Sequence, residues 1–253
     1  YVHQFELLAQ DLPKSGSLIY DETDSLVNAV GQKEYADIQK YAYKAHPAVV
    51  RNGKTFLILP NKKELAIEVF GEHNLKNLNG ARLVLSQIGI EDEQFYEAIA
   101  SFKGAAKRLE LVGQNDETVF YRDFAHAPSK VEATTKALKG QYPNRHLVAC
   151  LELHTFSSLN KNFLKEYAHK LDGADTAVVY FSPKTLEHKK MPALSVEEVK
   201  ANFANSNLEV FTDNQSLKTF LLSKRWRGSN LLMMSSGTFD GLDFKELSSQ
   251  ILS

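Results

Sequence analysis

The chain has 253 residues, 43% of them hydrophobic, which is enough for one large or two ordinary domains with a buried core. Its 30 basic and 31 acidic residues give a formal charge of −1 with no long run of either sign; this excludes the electrostatic footprint of a nucleic-acid binder and points to small-molecule partners. The single cysteine, Cys150, excludes an internal disulfide and a cysteine-based zinc cluster, and its place in an apolar run makes it buried bulk.

The sequence opens at Tyr1 and goes directly into a helix-like stretch, Val2 to Leu12, as a piece cut from a longer protein would. No window is long and apolar enough to span a bilayer, and no secretory signal precedes the first helix, so a cytoplasmic location with no membrane partner is expected. The clearest early landmark is Ala48 to Leu59, where Asn52-Gly53 between two apolar runs favours a type I′ hairpin turn. The neighbouring Gly53-Lys54-Thr55 resembles the end of a phosphate-binding loop, but that motif needs a glycine at position 48, where alanine stands. A third strand, Leu65 to Phe70, leads to two helices. One carries Leu75, Leu78, Leu83 and Leu85; the other is entered through Glu91-Asp92-Glu93 and striped by Phe95, Ile99 and Phe102.

From about Asn115 the rhythm changes to short apolar strands separated by helix-length segments: Thr118 to Phe124, Leu147 to Leu153, Thr176 to Phe181, Leu208 to Phe211 and Leu231 to Met234. Such alternation predicts βαβ units, a mainly parallel sheet with right-handed crossovers, and an α/β fold. The composition places a boundary near Gly113-Gln114-Asn115-Asp116, giving domains 1–112 and 113–253. Pro143-Asn144-Arg145 and Ser182-Pro183-Lys184 read as ordinary connections, and the last helix runs from Phe244 to Leu252.

Ligands of open parallel sheets bind outside the carboxyl ends of the strands, so the residues that end these strands are the candidate site. Asp123 and His126 end one strand, just before Pro128 opens a helix. His154-Thr155-Phe156-Ser157-Ser158 ends a second, and Ser235-Ser236-Gly237-Thr238-Phe239-Asp240-Gly241 a third. Asp123 could hold a ligand or cap the following turn, and the 235–241 segment could cradle an anion or be a plain glycine turn. Two histidines and an aspartate could suggest zinc, but their spacing is looser than that of closed metal sites, and no metal ligand is assigned. In the first part of the chain, Asn74 could cap a helix, or share with Asn77 a face of amide donors and acceptors suited to a base edge. Lys107-Arg108 could be a solvated pair, or Arg108 could turn its planar fork towards phosphate oxygens.

In combination and in this order, these segments resemble the Mur ligases, the ATP-dependent amide-forming enzymes of peptidoglycan synthesis. Gly71-Glu72-His73-Asn74-Leu75-Lys76-Asn77 is similar to the family's Gly-x-His-Asn-x-x-Asn segment, Phe102 to Glu110 to the segment that closes its central domain, and Asp123-Phe124-Ala125-His126-Ala127-Pro128 to its Asp-Tyr/Phe-Ala/Gly-His-x-Pro. The resemblance implies that residues 1–112 are the rear of the ATP-binding domain and 113–253 the Rossmann-like C-terminal domain. The family's phosphate-binding loop and UDP-sugar domain would lie ahead of Tyr1, leaving this chain inactive by itself. It further implies ATP and magnesium as cofactors, with His73, Asn74, Asn77, Arg108 and Asp123 on the nucleotide. His126 and His154 are implied as catalytic groups, and Ser157, Ser235, Ser236, Gly237 and Thr238 as the substrate-facing set. The implied reaction joins a peptide or amino acid to UDP-N-acetylmuramate through an acyl phosphate. The ending Met234 to Gly241 looks most like the peptide-adding branch of murein recycling; the L-alanine-adding branch, or a non-catalytic nucleotide-binding module, is the alternative. Two departures stand out: Ala127 where a second histidine is common, and no arginine within His154 to Asn160.

Overall fold

A helix, Val2–Gln10 (α1), stops at Asp11, short of the predicted Leu12, because Pro13 cannot continue the helix. The computed structural model, which describes residues 1–253, then shows a βαβ unit that the sequence reading did not contain. Strand β1 (Ser17–Asp21), helix α2 (Ser25–Gly31) and strand β2 (Gln39–Tyr43) form it, with Ser17 opposite Gln39 in parallel register. Asp24 caps α2 by accepting from the Leu26 and Val27 amides. Both strands are only half-buried, so their side chains give little apolar periodicity to read.

The predicted hairpin is present as β3 (Ala48–Arg51) and β4 (Lys54–Ile58), paired Arg51 to Lys54 across Asn52 and Gly53 at φ 51° and 73°. Positive φ at both central residues is what the type I′ turn demands. Strand β5 (Glu64–Ile67) completes an antiparallel sheet of three and is shorter than expected: its ladder ends at Ile67, and Phe70 is instead buried beyond it. Helix α3 (Glu72–Ser86) and α4 (Asp92–Ala100) lay Leu78, Phe95 and Tyr96 against Leu57 and Ile67. Phe102, expected in the α4 stripe, falls past the end of the helix and is exposed. A capping box between Glu91 and Gln94 starts α4.

The chain divides into two compact units, Tyr1–Lys103 and Gly104–Ser253. The division falls ahead of the 112/113 boundary suggested by composition, because β6 (Glu110–Gln114) is hydrogen-bonded along β7 (Val119–Asp123), so a cut at 113 would split a strand. Around these the second unit has α5 (Pro128–Gln141), β8 (His146–Leu153), β9 (Thr176–Phe181), α6 (Pro183–His188), α7 (Val196–Phe203), β10 (Leu208–Phe211), α8 (Asn214–Leu222), β11 (Ser229–Met234) and α9 (Phe244–Ile251). The sheet order is β10-β9-β8-β11-β7-β6, with every pair parallel except the β6–β7 edge. Ser182-Pro183-Lys184, read as a plain connection, opens α6, with Ser182 accepting from the Thr185 amide and Pro183 at the first helical position. The β8 to β9 crossover carries only a 3₁₀ turn, Leu164–Tyr167, in place of an α-helix.

The sheet is covered on both faces. Phe120, Val148, Cys150, Val178, Tyr180, Leu231 and Met233 pack with Leu217 and Leu221 of α8 and Leu247 and Ile251 of α9. On the other face Thr135 of α5 donates to the Met234 sulfur. Cys150 is fully buried, and burial pushes its thiol far above the ordinary range, as expected of an inert core residue. No helix is long and apolar enough to cross a membrane.

Candidate functional site

The chain leaves β7 in one direction across the sheet to reach β8, and returns the other way from β10 to β11, which inserts between β7 and β8. Right-handed crossovers therefore put α5 and α8 on opposite faces, making the carboxyl end of β11 a topological switch point. Three strand ends meet there. The Ser235 amide donates to the Asp123 carbonyl oxygen at 3.0 Å, and the Ser235 hydroxyl donates to Glu152 Oε2.

At the end of β7, Asp123 is 8% exposed and both of its carboxylate oxygens are used within the chain. Oδ2 accepts from the Leu109 amide and Oδ1 from the Ala125 amide, each at 2.6 Å. The carboxylate thus ties residues 107–109, which contain left-handed Lys107 and Leu109 at φ 58° and 42°, to the turn before α5. Arg108 sits between them, exposed, with its guanidinium 5.5 Å from the centre of the Phe124 ring. His126 places Nδ1 2.9 Å from the Phe124 carbonyl oxygen. A carbonyl only accepts, so this contact calls for a proton on Nδ1.

At the end of β8, Glu152 is 1% exposed in a strand whose other residues after His146 are apolar. Its Oε2 also accepts from the Phe239 amide at 2.8 Å, and its Oε1 stands 3.5 Å from His154 Nδ1. That ring nitrogen is buried and makes no conventional hydrogen bond, while the His154 side chain as a whole is about a third exposed. Ser157 is on the surface of a turn that satisfies itself, its hydroxyl 3.4 Å from that of Thr155. Phe156, 63% exposed, lies under the Lys189 ammonium at 4.3 Å.

At the end of β11 the chain makes a tight turn in which Phe239 and Asp240 both adopt left-handed φ, 50° and 52°. A bulky residue there is strained, and it persists only where the surroundings over-determine it. The Phe239 ring is fully buried, its amide is held by Glu152, and Asp240 accepts from the Tyr180 hydroxyl at 2.9 Å. The amides of Gly237, Phe239 and Gly241 are bonded to Ser235 Oγ, Glu152 and Thr238 respectively, which favours the plain-turn reading over an anion cradle. The Ser236 hydroxyl is buried and unpartnered.

In the first unit, Gly71 at φ 88° is the N-cap of α3, so Asn74 is not the cap that the sequence allowed; it lies in the first turn, and its amide donates to the Phe70 carbonyl at 2.8 Å. His73 is half-buried in the same turn, and Asn77 is exposed one turn further on. Of the sequence-derived candidates, then, Asp123, His126, His154, Ser235, Ser236, Gly237 and Thr238 share one sheet edge with Arg108 beside it, and His73, Asn74 and Asn77 share one helix start. Glu152 was missed, although an acid two residues from Cys150, on the same face of a strand of apolar residues, was a signal in the sequence.

The domain described as "Mur ligase, glutamate ligase domain" matches residues 107–237. The UDP-N-acetylmuramate–L-alanine ligase of Desulfitobacterium hafniense is 24% identical over 248 residues, covering 92% of this chain and 54% of that protein. The enzyme of the same name from Lactococcus lactis is 33% identical over 132 residues, covering 50% of this chain and 29% of that protein. The chain thus spans about half the length, or less, of the curated relatives it matches. Among solved structures, the UDP-N-acetylmuramate–alanine ligase of Thermotoga maritima has a TM-score of 0.64 at 16% identity, and the murein peptide ligase of Psychrobacter arcticus 0.59 at 17%. Both alignments cover 99% of this chain and 53% of the other. The fold is shared with both structures, and with the domain matched over more than half its residues the chain belongs to the Mur ligase family.

Proposed function

We propose that the chain supplies the adenine-binding and acceptor-binding parts of an ATP-dependent ligase that joins a peptide to UDP-N-acetylmuramate. The observation that carries this reading is the convergence of the β7, β8 and β11 ends, which brings Asp123, Glu152, His154 and the Ser235 turn together at a switch point. ATP supplies the phosphoryl group that turns the muramoyl carboxylate into an acyl phosphate. Asn74 Oδ1, whose amide nitrogen is occupied by Phe70, and the exposed Asn77 amide offer the acceptor and donor pattern of a base edge. His73 lies beside Asn74 in the first turn. Arg108, set in place through Asp123, presents its guanidinium for phosphate. His126, whose Nδ1 is held at the Phe124 carbonyl, and His154 serve proton transfer from the attacking amine. Exposed Ser157 and Thr238 are assigned to the incoming substrate, whereas Ser236 and Gly237 serve the turn that carries Thr238. Magnesium would travel with the ATP phosphates, and no residue of this chain is assigned to it. We place the phosphate-binding loop on sequence outside these 253 residues, since Ala48 breaks the one approximate match.

The test is turnover by the full-length parent protein: ADP and product formation from ATP, UDP-N-acetylmuramate and either L-alanine or the tripeptide L-Ala-γ-D-Glu-meso-diaminopimelate. Ligation of the tripeptide is the expected result, whereas no turnover with either amine would leave a non-catalytic nucleotide-binding module. The curated relatives named above are L-alanine ligases, which favours L-alanine as the second reading.

A further inference from the structure

Glu152 is the most deeply buried acid at the sheet edge, and no Lys or Arg side chain lies within ion-pair distance of it. A carboxylate taken out of water needs donors or a counter-charge. The donors present are the Ser235 hydroxyl and the Phe239 amide, both on Oε2, which leaves Oε1 turned to His154 Nδ1 at 3.5 Å. Gly237 closes the third side: a Cβ there would stand 2.7 Å from His154 Cγ and Nδ1 and 2.8 Å from Glu152 Oε2. The turn therefore packs onto the acid and the imidazole together.

The geometry points to a carboxylate–imidazole dyad in which Glu152 is a positioning residue, holding His154 with Nδ1 inward and protonated and Nε2 outward as proton acceptor for the incoming amine. The acceptor role rests on the ligase reading; the dyad itself does not. In the step, the substrate ammonium gives one proton to Nε2, and Glu152 Oε1 faces the Nδ1–H of the resulting imidazolium. The amine nitrogen then bonds to the acyl carbon, the carbon–oxygen bond to phosphate breaks, and the departing phosphate takes the second amine proton. The 3.5 Å separation is longer than a good hydrogen bond, as is common before substrate closes a site. Other titratable groups surround the pair. From β9 comes Tyr180, whose hydroxyl is pushed far up by burial and by its bond to Asp240, with the Glu152 charge adding to the effect. From β7 comes Asp123, linked to the pair through the Ser235 amide and with both carboxylate oxygens occupied by amides.

The test uses the Glu152→Gln variant, whose side chain has the same shape. Its amide oxygen can still accept from Ser235 and Phe239, but its NH2 would face Nδ1, forcing the proton to Nε2 and disabling the base. In 15N-histidine spectra of the 253-residue chain, assigned by loss of the signal in His154→Gln, wild-type His154 is expected as the Nδ1–H tautomer and the variant as Nε2–H. In ligation by the full-length protein, Glu152→Gln should lower kcat by about a hundredfold or more with ATP affinity unchanged. An Nε2–H tautomer in the wild type, read without any change at Glu152, overturns the dyad. A Glu152→Gln kcat within threefold of wild type overturns the acceptor role. If the wild-type protein ligates no amine, the acceptor role falls with the ligase reading, and the spectra decide the dyad alone.

Discussion

Replacing Gly237 by alanine tests the packing of the sheet edge with one methyl group. The new Cβ would fall about 0.6–0.7 Å inside the 3.4 Å limit of ordinary contact, against His154 Cγ and Nδ1 and against Glu152 Oε2. Neither neighbour is the loose end of a flexible chain: Glu152 is buried and anchored twice, and the imidazole sits between the acid and the turn. Overpacking of this kind costs about 1–3 kcal/mol. For a unit of about 150 residues that is a fall in Tm of roughly 3–10 °C. Gly140→Ala in α5 is the control, because a Cβ there meets nothing within 4 Å. Both substitutions stiffen the unfolded chain alike, so their difference isolates the folded environment. The control should gain about 0.5–1 kcal/mol from helix propensity. Calorimetry of both variants checks the pair. If Gly237→Ala melts with or above Gly140→Ala, the turn is not packed against Glu152 and His154.

Asp123→Ala removes two charge-assisted bonds from backbone amides, and should cost about 3 kcal/mol in urea unfolding while exposing the Leu109 and Ala125 amides to hydrogen exchange. Protection unchanged at both amides would show that the carboxylate is not their anchor. His46, 5% exposed, is held neutral between the Pro47 carbonyl and the Tyr96 hydroxyl, and burial lowers its pKa below the usual 6.5. Its contribution is present above pH 6.5 and lost as pH falls towards the lowered value, so His46→Gln should flatten the stability of the first unit across that window. A slope that survives the substitution would assign the titration elsewhere. Glu132 on α5 is brought to about 2 by hydrogen bonds from Lys136 and Lys170. Its contribution is complete above about pH 4.5 and lost as pH drops through about 2, so Glu132→Gln should reduce acid sensitivity between those limits, read by pH-dependent Tm. Equal acid limbs in variant and wild type would refute the pairing.

The second unit was readable because its central strands are buried on both faces: residues 147–151 and 231–234 stand out as continuous apolar runs, as parallel strands do. The turn Asn52-Gly53 was readable because its conformation is restricted to few residue types. By contrast, β1 and β2 are half-exposed, and their pairing is made by a crossover, so no local signal announced them. Pro183 misled because proline both ends and begins structure; the Ser182 hydroxyl bonded to the Thr185 amide decides for a helix start. At the site, Asp123 and the 235–241 segment could each be read as ligand-facing or structural. The sequence does not record that their polar groups are consumed by Leu109, Ala125 and one another, because those partners lie 14 residues away or depend on a turn's exact path.

The same bonds explain why this edge can hold charge at all. In most of the sheet, interior side chains are apolar; at the switch point the chain leaves β11 between β7 and β8, and two residues take left-handed φ in the turn. That strain needs an offsetting contact, and it has a buried Phe239 ring, a Glu152 carboxylate on the Phe239 amide and a Tyr180 hydroxyl on Asp240. The buried carboxylate, in turn, requires the Ser235 hydroxyl and Phe239 amide that only the strained turn delivers. Strain and charge thus stabilise each other, and His154, packed against Glu152, keeps about a third of its side chain exposed.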